Sequence, residues 1–147
     1  MCAASGETQK AREGVGVTGV LLVAIGGAAG SVARYLASTS VQRNVGISFP
    51  LGTFIINVTG SFLIGVILGL FEAGNLSPAA RLLIAVGFLG GFTTFSSFSY
   101  ESLLLLESKA VLPFLLNTVG SVVAGLAAAW LGVVLVRIMA AVLRGHP

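Results

Sequence analysis

Four long apolar stretches, joined by short connections, constrain the fold of this chain more than any other feature of its sequence. They run over residues 15 to 37, 51 to 71, 79 to 106 and 111 to 136, and each reaches the ~20 residues that an α-helix needs to cross a bilayer. Only 9% of the residues are charged, against about a quarter in soluble domains, and the mean hydropathy is +1.02. We therefore expect an all-α membrane protein with four transmembrane helices.

The connections between these stretches determine the domain organisation. Residues 38–50, 72–78 and 107–110 leave no room for a soluble domain, so consecutive helices must run antiparallel as neighbours. Residues 1–14 are polar, and the apolar stretch after them exceeds the ~7 to 15 residues of a signal-peptide core. The sequence predicts a flexible N-terminal tail over residues 1–14 and a single four-helix transmembrane domain over residues 15–147.

The third apolar stretch contains an unusual segment from Gly87 to Glu101, in which glycines, hydroxyls, phenylalanines and one carboxylate stand together. Each unpaired backbone group costs several kcal/mol in hydrocarbon, so a broken helix is tolerated only where protein, water or an ion meets the freed groups. Two threonines, Thr93 and Thr94, follow Gly90 and Gly91 after a single phenylalanine. The pattern predicts that the third helix is broken mid-membrane, at an ion or pore site.

Polar side chains on the second and fourth helices follow helical spacing. Thr53, Asn57 and Ser61 are four residues apart on one stripe, and Asn117 and Ser121 repeat that spacing. The two stripes could face each other across a narrow polar track. The alternative is that they are hydrogen-bonding pairs between helices, which contribute on average about 0.6 kcal/mol each.

Phe95 and Phe98 share a face of the third helix because they are three residues apart. Rings at this spacing usually face lipid or the protein core. The functional alternative is that their electropositive edges lie against a small anion. The pairs Gly26 and Gly30, and Gly65 and Gly69, have the small-residue spacing of closely packed membrane helices.

Several functional classes find no support in the sequence. Cys2 and His146 are the only residues of their types, which leaves no Cys/His metal site or Cys-His catalysis within one chain. Glu101 is the only acid inside an apolar run, so paired-carboxylate catalysis is not expected, and no phosphate-binding glycine loop is present. The basic residues are scattered, without the patch that nucleic acid requires. The chain is expected to be neither an enzyme nor a nucleic-acid-binding protein.

The distribution of charge between the two ends of the helices specifies orientation only weakly. In a four-helix arrangement, five basic residues lie at one membrane face and three lie at the other. The five are Lys10, Arg12, Arg81, Arg137 and Arg144, and the three are Arg34, Arg43 and Lys109. Insertion in both orientations therefore remains open.

Three motifs in order give a specific resemblance. They are Gly-Ala-Ala-Gly-Ser-Val-Ala-Arg-Tyr at 27–35, Gly-Thr-Phe-Ile-Ile-Asn-Val-Thr-Gly-Ser-Phe at 52–62, and Gly-Gly-Phe-Thr-Thr-Phe-Ser-Ser-Phe-Ser-Tyr-Glu at 90–101. With these motifs the chain resembles the Fluc/CrcB family of fluoride ion channels. The resemblance implies an antiparallel, dual-topology homodimer that encloses two narrow fluoride pores. Its implied function is passive export of fluoride from the cytoplasm across the cell inner (plasma) membrane, as a multi-pass protein that lowers fluoride toxicity.

The resemblance also implies roles for individual residues. The residues implied along the fluoride pathway are Asn57, Thr94, Phe95, Phe98, Ser121 and Glu101. Arg34 is implied at the vestibule, where its positive charge would favour anion entry. The backbone carbonyls of Gly90 and Thr93 are implied to hold a structural Na⁺ at the dimer interface. The implied partners are the fluoride ion, a second copy of the chain and the lipid bilayer.

Two other functions stay open at this point. A small multidrug-type, proton-coupled exporter also has four helices, but it needs a membrane carboxylate to exchange protons for drug. The first helix contains none, and Glu101 lies inside the third motif. A non-conducting membrane assembly protein would use the glycines and hydroxyls for packing alone, so changing Phe95 or Asn57 would alter assembly without affecting ion flux.

Overall fold

The computed structural model describes residues 16–45 and 49–144, and these ranges are helical without any strand. The helices are α1 (Val17–Val45), α2 (Leu51–Glu72), α3 (residues 78–92), α4 (Phe95–Glu107) and α5 (Val111–Arg144). Together α3 and α4 form the third of four spans that are long and apolar enough to cross a membrane. The chain is thus an all-helical, multi-pass membrane protein, as predicted. The predicted tail at residues 1–14 lies outside the described residues.

The ends of two helices differ from the sequence prediction. Helix α1 continues to Val45 rather than ending near residue 37, and α5 continues to Arg144 rather than ending near residue 136. Neither extension contains a glycine or proline. In α1 the hydroxyls of Ser38 and Thr39 donate to the Tyr35 carbonyl at 3.2 and 2.7 Å. Hydropathy marks where an apolar run ends, whereas a helix continues until its backbone bonding is interrupted.

Glycines bring the helix backbones into direct contact in two pairs of helices, α1 with α3 and α2 with α5. A Cβ added at Gly26 would overlap the Leu83 carbonyl oxygen, and one at Gly30 would overlap that of Phe88, so α1 packs closely on α3. A Cβ at Gly65 would likewise overlap the Ala129 carbonyl oxygen, which joins α2 to α5. Such small-residue contacts replace the hydrophobic driving force that is missing between helices in lipid.

The third span changes its helical geometry along its length. Ser77 caps its start by accepting from the Ala80 N–H at 3.1 Å. Helix α3 then begins as an α-helix at Pro78–Arg81, becomes a π-helix at Leu82–Leu89 and returns to α-helix at Gly90–Phe92. Thr93 and Thr94 are extended, and α4 starts directly after them. We call Thr93 and Thr94 the interruption. The π-helical segment that precedes it is of a kind that often occurs near functional sites.

Candidate functional site

The interruption is held in place by one side chain of α2. The Asn57 Nδ2 group donates to the Thr94 carbonyl at 3.0 Å, and the Asn57 Oδ1 atom accepts from the Thr94 N–H at 2.9 Å. The amide of Asn57 thus satisfies both backbone groups of one residue that a continuous helix would otherwise have paired. Because unpaired backbone groups are costly in hydrocarbon, this contact allows the helix to open at Thr94.

A first cavity, of about 330 Å³, lies beside the interruption between α2, the end of α3, α4 and α5. Its lining includes the rings of Phe95 and Phe98, whose centroids are 5.6 Å apart and whose planes are tilted by 40°. Phe95 is 80% exposed although it borders this cavity. Ser121 also lines the cavity, and its buried hydroxyl oxygen has no hydrogen-bond partner among the described residues. The first cavity therefore combines aromatic rings with a free hydroxyl.

A second cavity, of about 410 Å³, lies on another side of the interruption, between α1, α2 and α4. Arg34 and Glu101 both line it, so this cavity carries two opposite charges. The Thr53 hydroxyl donates to Glu101 Oε1 at 2.8 Å. The other carboxylate oxygen, Oε2, is buried and has no partner within the described part of the chain.

Thr94 lines both cavities and forms the wall that they share. Its hydroxyl donates to the Ser97 hydroxyl at 3.1 Å and accepts from the Ser97 N–H at 3.2 Å, which caps the start of α4. The residue is only 8% exposed. An ion that moved from one cavity to the other would pass Thr94, whose backbone is held by the amide of Asn57.

Every predicted site residue lines one of these cavities. The first cavity collects Asn57, Gly90, Thr93, Thr94, Phe95, Phe98 and Ser121. The second collects Arg34, Thr94 and Glu101. This clustering is an observation about position, and the role of each residue stays a prediction.

Some residues of the second cavity were not among the predicted site residues. The sequence predicts Thr53 only as part of the α2 stripe, whereas in the structure its hydroxyl contacts Glu101. Gln42 lies in a segment expected to be a connection, and its amide accepts from the Gly52 N–H at 3.5 Å. Helical spacing could have placed Gln42 beside Arg34 and Ser38 if α1 had been extended. Asn117 lines neither cavity: it is completely buried and its Nδ2 group donates to the Ser102 hydroxyl at 2.9 Å.

The site offers backbone oxygens rather than side chains to a metal ion. Within the described ranges no group of three or more His, Cys, Asp or Glu residues could hold a metal. Since the Thr94 N–H donates to Asn57, the Gly90 carbonyl loses the donor that a continuous helix would supply. Gly90 is also exposed at the surface of the chain. Carbonyl oxygens freed in this way suit a hard cation.

The fold and site together define a small multi-pass membrane protein with paired cavities at a helix interruption. A model of the family described as CrcB-like protein, Camphor Resistance (CrcB), matches residues 21–133. The chain belongs to this family.

Named relatives agree with this assignment. A protein of Thermus thermophilus named fluoride-specific ion channel FluC is 52% identical over 118 residues, which cover 80% of this chain and 93% of the relative. Proteins with the same name from Solibacter usitatus and Aquifex aeolicus are each 46% identical, over 80% and 79% of this chain and 97% and 94% of their own lengths. The similarity therefore spans nearly the whole of each relative.

Proposed function

We propose that this protein is a fluoride-selective channel that lets fluoride leave the cytoplasm passively across the inner (plasma) membrane and so lowers fluoride toxicity. The observation that carries the proposal is the pair of cavities that meet at Thr94 in a chain whose relatives are named fluoride-specific ion channels. A passive pathway needs binding groups on both sides of a narrow point, and the two cavities supply them.

The proposed pathway begins at the second cavity. Arg34 contributes a positive charge there, which raises the local concentration of anions. The carboxylate of Glu101 would repel an anion. The Thr53 hydroxyl donates a hydrogen bond to one oxygen of this carboxylate and so holds that oxygen in place. Arg34 attracts fluoride without binding it inside the narrow point, since conduction requires sites weak enough to release the ion.

Beyond Thr94 the proposed pathway must replace the water around fluoride. The Asn57 amide retains one N–H after donating to Thr94, because an amide nitrogen carries two hydrogens. Ser121 brings an unused hydroxyl, and the ring edges of Phe95 and Phe98 add weak positive potential. These groups suit a small, strongly hydrated anion. Larger halides gain less from such compact donors, so we propose selectivity against chloride.

We propose that two copies assemble as an antiparallel, dual-topology homodimer. In support, Phe95 is 80% exposed in one copy although it borders the first cavity. A ring that lines a pathway needs a facing wall, and a second copy related by a two-fold axis would provide it. The small charge difference between the two ends of the helices also permits insertion in both orientations.

We further propose that the carbonyls of Gly90 and Thr93 hold a structural Na⁺ where the two copies meet. The residues fit such an ion, because the interruption frees the Gly90 carbonyl and Gly90 is exposed. The bound ion would pair with the carbonyl dipoles and stabilise the interruption. Replacing Na⁺ with choline on both sides of a vesicle should then slow fluoride flux, and unchanged flux after exhaustive exchange would contradict the sodium site.

The central test is ion efflux from liposomes that contain the purified full-length protein. We expect rapid fluoride loss, read with a fluoride electrode, and little chloride loss under the same gradient. Liposomes without protein are the control. Fluoride retention by a folded dimer would contradict the proposed channel. Proton-driven uptake of a cationic drug would instead indicate the exporter class.

A further inference from the structure

A third cavity lies outside the proposed pathway, between the end of α2 and the last turns of α5. It measures about 350 Å³, within the ~300 to 1,000 Å³ typical of small-molecule sites. Small residues leave this space open: Gly69 and Ala73 on the α2 side, and Ala140 and Ala141 on the α5 side. The residues that form it take no part in the proposed fluoride pathway.

Two opposite charges face this third cavity without pairing to each other. Glu72 and Arg137 both line it, and the described residues contain no hydrogen bond or salt bridge to either side chain. Nearby Arg81 is differently placed, because its guanidinium lies 5.1 Å from the centroid of the Phe71 ring. Among the described residues, the third cavity thus has one anionic and one cationic side chain at its edge that are not paired.

The position of the cavity along the bundle indicates the kind of ligand that can reach it. Glu72 is the last residue of α2, whose membrane span ends there. Gly69 packs on Val136, and α5 continues from that level to Arg144, about 12 Å further at the helical rise of 1.5 Å per residue. The cavity therefore opens where the α2 span ends and where Glu72 and Arg137 introduce charge, as expected for the depth of lipid headgroups, while the apolar stretch of α5 continues to Leu143.

Two further features match the two ends of a zwitterion. The C-terminal end of α2 carries partial negative charge, which adds to the carboxylate of Glu72 in attracting a cation. Arginine is suited to phosphate because its planar guanidinium donates in a fork. Towards the bilayer centre from this level, the exposed side chains of Leu131 and Leu135 on α5 provide an apolar surface for acyl chains.

We propose that the third cavity binds the headgroup of phosphatidylethanolamine, with the phosphate at Arg137 and the primary ammonium at Glu72. Phosphatidylcholine shares the phosphate but its quaternary ammonium cannot donate a hydrogen bond to the carboxylate. Phosphatidylglycerol shares the phosphate but has no cation. The proposal is independent of fluoride conduction.

The test is native mass spectrometry of the purified full-length protein with each of these three lipids added in turn. We expect phosphatidylethanolamine to be retained about two- to fivefold better than the other two, as follows from an interfacial ion pair of at most about 1 kcal/mol. Glu72→Gln should abolish this preference, and Arg137→Gln should weaken retention of all three lipids. Ala140→Leu, which fills the cavity, should likewise weaken retention of all three lipids.

Matched controls carry the same changes outside the cavity. Arg81→Gln removes a charge at the same end of the bundle, and Glu107→Gln removes an exposed acid elsewhere, so neither should alter the lipid preference. Each variant should keep its fluoride flux, which shows that it is folded. Equal retention of the three lipids by the unmodified protein would overturn the proposal, as would an unchanged preference in Glu72→Gln.

Discussion

The two cavities beside the interruption share Thr94 but differ in their chemistry. The second cavity contains Arg34 and Glu101, with hydroxyls and an amide around them, whereas the first is lined mainly by rings and aliphatic side chains with a few hydrogen-bond donors. Charge acts over a long range and can gather ions that keep their water. Hydrogen-bond donors act at short range, so they bind directly only to an ion that has lost its water. The difference indicates that attraction and dehydration are carried out in separate places.

One helix supplies both environments. In α4, Ser97 and Glu101 are four residues apart and line the second cavity, while Phe95 and Phe98 are three apart and line the first. At 100° per residue the mean directions of these two pairs differ by about 110°, so they lie on different but adjoining faces of α4. The interruption sets the rotation of α4 because Thr94 caps its first turn and is held by Asn57.

The largest expected effect comes from removing the Asn57 amide, which holds Thr94 in place between the two cavities. Asn57→Ala leaves the N–H and the carbonyl of Thr94 unpaired, at about 1 to 3 kcal/mol each. We expect fluoride flux per dimer to fall about a hundredfold or more, since each 1.4 kcal/mol on a barrier is about tenfold in rate.

Asn117→Ala is the matched control, because this amide is also buried but lines neither cavity. It should lower the melting temperature while the flux of folded protein stays within about threefold, a change worth less than 1 kcal/mol. Equal flux losses in the two variants would show that any buried amide is equivalent, and would contradict the role assigned to the interruption.

The next largest effect should follow from replacing a ring in the first cavity. Phe95→Ile keeps the site apolar but removes the electropositive ring edge. We expect at least about a tenfold loss of fluoride efflux from liposomes, equivalent to about 1.4 kcal/mol. Phe88→Ile is the control, since Phe88 stacks on Phe92 at 5.9 Å and borders neither cavity. Normal flux in Phe95→Ile would mean that the rings only pack.

A smaller effect is expected in the second cavity, where Arg34 acts through its field. Arg34→Gln should slow fluoride flux about threefold at low salt and less at high salt, since the Debye length falls to ~8 Å at 0.15 M. Arg43→Gln removes the same charge from the same helix outside the cavity. A salt-independent loss in Arg34→Gln would indicate direct contact with the ion instead of attraction at a distance.

The smallest effect should come from Ser121→Ala, which removes one donor from the first cavity. Ser121 is one of several donors in this cavity, so we expect a loss at the low end of the range for a neutral hydrogen bond, about 0.5 kcal/mol or about twofold slower efflux. Ser99→Ala provides the comparison, because that hydroxyl donates to the Phe95 carbonyl within its own helix at 2.9 Å. If both variants conduct equally, the hydroxyl of Ser121 is not a ligand for the ion.

The helical class and the four spans could be predicted from hydropathy, because burial in lipid requires long apolar runs whatever the tertiary contacts are. The polar residues of the motifs could be singled out for a related reason, since polar groups in hydrocarbon need partners. The helix ends could not be placed, as α1 and α5 show, because hydropathy does not report backbone bonding.

By itself, the sequence determined that this chain crosses a membrane four times and that its third span contains an unusual polar segment. Only the tertiary structure decided that Asn57 binds both backbone groups of Thr94, that Thr53 pairs with Glu101, and that Asn117 turns away to Ser102. Spacing along one helix predicts which residues share a face. The partner that a face meets depends on how neighbouring helices rotate and approach, which here is set by backbone contacts at glycines.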